Sequence, residues 1–362
     1  MEIKSAPTPR AGVLKIKSHM LSAGAKPDPS AIQIASNESV YGPGDKALAA
    51  AHDSLSHSER YPEGASEILA GAIASRFNLN ADNIVCGFGS DDLLARLARI
   101  YLSPGDELIY PVHGYQKVPN YAFANDAIPV SAPDENFIAD VDQILACITE
   151  RTKVVMLANP DNPSGTYVSG QQVRKLHAGL PPHVLLVLDS AYAEYVMATD
   201  YELPTTLVEE AGNVVMTRTF SKVFGLAGMR VGWMYGPIDI VDAVRRVGIT
   251  FPLSAPSLAA CMAALKDSAH QDFVVTENFR IREEFAERIG KLGLQVVPSQ
   301  TNFVLVRFGT RDAQGAQNFL QKHGVIARQL SAGDFSDCIR FTIGDHQQMS
   351  TTAEVLEKWN NE

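Results

Sequence analysis

The chain has 362 residues, 46% of them hydrophobic and 20% charged, with a formal net charge of −10 at pH 7. That length allows about two domains with a large buried core, and the composition excludes a disordered, collagen-like or fibrous protein. The acidic balance argues against a general nucleic-acid or anionic-membrane binder, and no apolar run approaches the roughly 18 residues of a membrane span.

In chain order, residues 1 to about 45 carry Pro7, Pro9, Pro27, Pro29 and Pro43 with little periodicity, which predicts an extended arm. From about residue 46 to 250, short apolar runs alternate with helical patterns. Ile84–Cys86, Glu107–Tyr110, Lys153–Leu157, Val184–Leu188 and Asn213–Thr217 read as strands, most of them apolar throughout, as strands buried on both faces should be. Ser90–Leu102, Gly170–Ala178 and Ile238–Val247 read as the helices between them. This alternation predicts an α/β fold with a mainly parallel sheet. After about Phe251 a single long helical pattern runs over Leu258–Leu292. A strand-rich tail follows at Gln295–Val297, Asn302–Arg307, Val325–Arg328 and Cys338–Thr342, with a closing helix over Gln347–Asn360. Residues 251–362 therefore read as a smaller α+β domain.

The four cysteines lie far apart without a C-x-x-C pair, and the nine histidines form no H-E-x-x-H cluster, so no metal site is expected. Reduced thiols, and a start without the apolar stretch of a signal peptide, point to the cytoplasm.

Four blocks carry chemistry. Gly87-Phe-Gly89-Ser90-Asp91-Asp92 follows a strand and opens a helix, where backbone N–H groups can hold an anion. A dinucleotide fingerprint needs a third glycine where Asp92 stands, so a single phosphate fits better; a plain turn capped by Ser90 or Asp91 is the alternative. Asn159–Gly165 holds two Asn-Pro steps at a strand end, where open α/β sheets bind ligands, although it also reads as a simple turn. Asp189 is the first polar residue after a buried strand, with Tyr192 three residues on. Such a carboxylate needs a cationic partner, unless it is merely a helix cap. Lys222 follows Ser221 among small and apolar residues, where desolvation lowers a lysine pKa and permits a Schiff base. Arg230, eight residues on, can return to pair with an anion.

The order of these blocks resembles the fold-type I pyridoxal phosphate (PLP) aminotransferases, and within them the histidinol-phosphate aminotransferases. Ser36-Asn-Glu38, Arg60-Tyr-Pro-Glu-Gly64, Asn302-Phe303 and Ile339-Arg340-Phe-Thr-Ile-Gly344 extend the likeness over essentially the whole chain. The resemblance implies a large PLP domain, a small C-terminal domain and an arm packed on the small domain or a dimer partner. It implies that Lys222 bonds to PLP and moves the proton at the substrate Cα, while Asp189 keeps the pyridine nitrogen protonated. Asn162 and Tyr192 would bond the ring hydroxyl oxygen, and His113 would stack on the ring. Ser90, Asp91, Ser221 and Arg230 would hold the cofactor phosphate. Tyr61 would reach across a homodimer to the partner's phosphate. Arg340 would clamp an α-carboxylate and Arg328 the phosphate of histidinol phosphate, with glutamate and 2-oxoglutarate as the other pair. The chain departs from the subfamily pattern at His19, in place of a tyrosine, and at Asp334, in the loop before Arg340. Both departures bear on the substrate rather than on the amino transfer. The alternatives are transamination of aromatic or other amino acids, decarboxylation of a phosphorylated amino acid, and a non-catalytic PLP-fold module. The retained Lys222 argues against the last.

Overall fold

The computed structural model describes residues 7–16, 30–330 and 333–361. Its main sheet has seven strands in the order Ile84–Gly87, Gly232–Tyr235, Val214–Thr219, Leu185–Asp189, Thr152–Ala158, Glu107–Pro111 and Ile128–Ala132. The last five are mutually parallel, whereas Gly232–Tyr235 runs antiparallel to both its neighbours. Side chains of a strand alternate between faces, so a doubly covered strand is apolar on both sides where the two cores meet it. Leu186, Leu188, Val214 and Met216 enter one core, while Leu185, Val187 and Val215 enter the core on the opposite face.

Gly232–Tyr235 was not legible as a strand because it is short and opens on a glycine. That glycine answers a close approach: a Cβ at Gly232 would strike the backbone of Gly89 and Ser90, where the next helix begins. Trp233 then fills one core beside Phe77, and Met234 the other.

The expected helix over Leu258–Leu292 is two helices, Ala255–Ala264 and Ser268–Gly290. Neither Gly nor Pro marks the break. The Asp267 N–H closes on the Ala264 carbonyl at 3.1 Å, and the Gln271 amide adds a second bond to that carbonyl at 2.9 Å and one to Asp267 O at 3.3 Å. Ala260 and Cys261, beyond the expected boundary at 251, are packed in the core of the main sheet. The second helix bridges the cores, with Val274 in the first and Ile281, Phe285 and Ile289 in the other.

The second sheet has four antiparallel strands in the order Gln295–Val296, Phe303–Arg307, Cys338–Thr342 and Arg328–Gln329. The run expected at Val325–Arg328 divides: Val325–Ile326 pairs instead with Ile32–Gln33 of the arm. The arm is stitched to this sheet further on, where Thr342 N donates to Ile34 O at 2.9 Å. The closing helix, His346–Asn360, starts with a capping box formed by Asp345 and Gln348. Among the described residues no helix is long and apolar enough to cross a membrane, and no group of three or more His, Cys, Asp or Glu is placed to hold a metal ion.

Candidate active site

A cleft of about 380 Å³ opens at the carboxyl ends of the parallel strands, with Lys222, Asp189, Asn162 and Tyr192 in its wall. At one end stands an anion cup. Ser90 is the first residue of helix Ser90–Tyr101, so the positive end of the helix dipole faces the cleft. Gly89 precedes it at φ 85°, a conformation that favours glycine, and a Cβ there would lie 2.6 Å from the Arg230 guanidinium. Arg230 itself sits at φ 54°, anchored by a 3.0 Å bond to Ala227 O. Thr219 Oγ1 donates to Ser221 Oγ at 2.9 Å, which leaves the Ser221 proton for a ligand. Asp92 is turned away: it accepts from Phe88 N at 2.9 Å and takes both arms of Arg96, at 2.9 and 2.6 Å. Its negative charge is therefore spent locally.

Asp189 ends its strand and accepts from Thr217 Oγ1 at 2.8 Å. Burial pushes its carboxyl up to about 6, with Asp91 adding to the rise; the Thr217 bond, the Lys222 charge and the Ala191 N–H pull the other way. A simple helix-cap role does not describe it, since the short turn that follows is capped by Tyr192. Lys222 Nζ donates to Asn37 O at 3.0 Å and lies 5.4 Å from the centre of the Tyr192 ring. The Tyr192 hydroxyl accepts from Asn37 Nδ2 at 3.0 Å.

At the other end, Arg340 is the third residue of Cys338–Thr342 and reaches back toward the cleft. It donates to Asn162 Oδ1 at 2.6 Å and to Ala35 O at 2.8 Å, while its Nε is buried without a partner. Burial lowers its pKa, the Tyr192 hydroxyl opposes that shift, and Arg328 reinforces it. Arg328 stands directly across the ladder from Arg340 and is exposed. Two guanidiniums thus share one edge of the site.

Two residues expected at the cofactor are not in the wall of this cleft: His113, and Tyr61, whose expected place is the cleft of a dimer partner. His113 is outside the cleft lining: its backbone N–H and ring Nδ1 both bond Asp134, at 3.1 and 2.7 Å, and its ring meets Phe137 and Phe335 edge-on. The aromatic of this loop that lines the cleft is Tyr115, two residues on, whose hydroxyl donates to Asp91 Oδ1 at 3.0 Å. Asp91 also accepts from Tyr121 at 2.7 Å and pairs with Lys117, so its side chain braces this loop. Tyr61 is 76% exposed and stacks on Phe251 rather than entering its own cleft. Asp334 is exposed, 3.6 Å from His113 Nε2, and His19 lies outside the described residues. Asn37, quoted above only as part of a motif, received no role from sequence; it is buried and bonded to both Tyr192 and Lys222.

Residues 29–356 match the profile of the class I and II aminotransferases. The chain is 42% identical over 359 residues to the histidinol-phosphate aminotransferase of Nitrobacter hamburgensis, covering 97% of this chain and 98% of the relative. It is 44% identical to that of Rhodospirillum centenum, covering 98% and 99%. Among solved structures it superposes with a TM-score of 0.90 on the histidinol-phosphate aminotransferase of Sinorhizobium meliloti in complex with pyridoxal 5'-phosphate, at 27% identity and covering 99% of both chains. An aspartate aminotransferase of Thermus thermophilus, at 20% identity and a TM-score of 0.81 over 91% of both chains, shares the fold. The chain therefore belongs to the class I and II aminotransferases, and its fold is that of the fold-type I PLP-dependent enzymes.

Proposed function

We propose that this cleft binds PLP and that the protein exchanges an amino group between histidinol phosphate and 2-oxoglutarate. The observation that carries the reading is one cleft wall that holds a lysine amine, an anion cup and a buried carboxylate, with Arg340 bonded to Asn162 in that wall and Arg328 beside Arg340 in the ladder. The donor set fits PLP group by group. Ser90 N–H, Ser221 Oγ and Arg230 suit a phosphate, and a Cβ at Gly89 would invade that cup. Asp189 suits a protonated pyridine nitrogen, and Asn162 with Tyr192 suit the ring hydroxyl oxygen. When bound, PLP supplies an aldehyde that takes up amines and a ring that accepts the electrons released at the substrate Cα.

The chain's own groups do the rest. Lys222 Nζ holds the cofactor and then carries the proton to and from the substrate Cα. Asp189 holds the proton on the ring nitrogen; its desolvated carboxylate gains from that cation what it lacks alone. Tyr115 supplies the aromatic wall assigned from sequence to His113. Arg340, with a buried unpaired Nε, takes the glutamate carboxylate, and Arg328 takes the substrate phosphate. We take the active unit to be a cytoplasmic homodimer. In support, Tyr61 faces outward, and the helices flanking it leave Leu48 and Ile68 exposed.

A substrate panel tests the reading, comparing histidinol phosphate, histidinol, phenylalanine, tyrosine and phosphothreonine with 2-oxoglutarate as acceptor. Histidinol phosphate should exceed histidinol in kcat/KM by about ten- to a hundredfold, the worth of one charge-assisted phosphate contact. Equal turnover of histidinol or of an aromatic amino acid would assign the protein to another substrate class within the family.

A further inference from the structure

We propose that Asn37 is a positioning residue that fixes the direction of the Tyr192 hydroxyl, so that Tyr192 donates its proton into the cleft. The inference rests on the PLP reading above and adds to it a residue from the arm. Asn37 is 2% exposed and lies at φ 57°, in the left-handed region that asparagine tolerates better than most residues. Its backbone N–H donates to Thr342 Oγ1 at 2.9 Å, and Asn302 Nδ2 donates to its carbonyl at 3.1 Å. These contacts pin the residue to the second sheet.

The same contacts orient its amide. Thr342 Oγ1 already accepts from the backbone N–H, so its own proton needs an acceptor, and Asn37 Oδ1 supplies one at 3.2 Å. Nδ2 must then point at Tyr192, whose oxygen it meets at 3.0 Å. A phenol oxygen that receives a proton from Nδ2 keeps its own proton for another acceptor. The hydroxyl lies in the cleft wall, so that acceptor is a ligand oxygen there. Asn37 O also holds the Lys222 amine, so one arm residue bonds two of the groups assigned to the reacting end of the cofactor.

A donor aimed at the ring hydroxyl oxygen stabilises its anionic form and lowers the pH at which the visible band of the PLP-loaded protein changes. Asn37→Asp keeps the shape and the left-handed backbone but replaces the Nδ2 donor with an acceptor, which draws the Tyr192 proton away. Asn37→Gly deletes the amide while permitting the same backbone. The charged groups around Tyr192, namely Lys222, Asp189 and Arg340, stay in place in both variants.

The experiment is a pH titration of that band in the wild type, Asn37→Gly, Asn37→Asp, and each substitution in a Tyr192→Phe background. The midpoint should rise by about one pH unit in Asn37→Asp, the equivalent of one hydrogen bond, and by less in Asn37→Gly. In the Tyr192→Phe background the Asn37→Gly shift should vanish, and only a charge effect should remain for Asn37→Asp. Unshifted midpoints, or equal shifts with and without the Tyr192 hydroxyl, would overturn the inference and leave the PLP reading standing. A wild-type protein with no cofactor band would overturn that reading, and this inference with it.

Discussion

The two ends of the cleft are built differently. The end proposed for the cofactor consists of residues at or just beyond the carboxyl ends of buried parallel strands: Asn162 after Thr152–Ala158, Asp189 closing Leu185–Asp189, and Ser221 and Lys222 after Val214–Thr219. Each is held by a strand that sends apolar side chains into the cores on both faces, so its position follows from the packing of the sheet. The substrate end is assembled from the arm, an antiparallel edge of the second sheet and a short loop before Cys338. Arg340, Ala35 and Asn162 meet there from three distant parts of the chain. A rigid end suits the chemistry common to a family, and a composite end is where substrate choice can vary. Substitutions at the first should abolish turnover for every substrate, and those at the second should redistribute it.

The largest effect belongs to Lys222→Ala. Loss of the proton carrier should reduce turnover by up to about 10⁴-fold for all substrates. PLP should still bind without a covalent link, because the Ser90, Ser221 and Arg230 cup remains; absorbance of the bound cofactor after gel filtration checks this.

Asp189→Asn should lower kcat by about 10²–10³-fold for all substrates, with little loss of fold. Its pH behaviour gives a second readout. The folded carboxyl titrates near 6, above its unfolded value of about 3.9. Between those values the folded, cofactor-free protein holds the extra proton, so the stability Asp189 contributes falls as pH rises from about 4 to about 6. Cofactor binding needs the ionised form. PLP affinity should therefore weaken as pH drops through about 6, more steeply in the wild type than in Asp189→Asn, as fluorescence titration would report.

At the substrate end, Arg328→Ala should raise KM for histidinol phosphate about ten- to a hundredfold and disturb the glutamate half-reaction much less. Arg340→Ala should do the reverse, and single-turnover half-reactions separate the two. The smallest effect is expected at Asp334, an exposed carboxylate beside His113. Asp334→Asn should improve KM for histidinol phosphate by no more than a few fold, and that gain should fade with added salt.

The difference between the two ends also governed what could be read in the chain. Asp189 follows a continuous apolar run, and Lys222 a shorter one that turns polar at Thr217, so a local pattern was enough to place them at the mouth of a sheet. Asn37 was quoted in a motif, yet its function depends on Thr342 and Asn302, some three hundred residues away in sequence, and no periodicity reports such a pairing. His113 and Tyr115 share one loop and are separated only by Gly114. What decides between them is Asp134, from a later hairpin, which captures the histidine through two hydrogen bonds and leaves the tyrosine to the cleft. The break between Ala264 and Ser268 was hidden too, since it carries neither Gly nor Pro and is bridged by the side chain of Gln271, seven residues after Ala264.

The most direct test of the account is borohydride reduction of the PLP-loaded protein followed by peptide mapping. The account predicts one modified peptide, carrying the label on Lys222, and none in Lys222→Ala. Label on any other lysine, or a PLP-replete protein that takes up none, would contradict it.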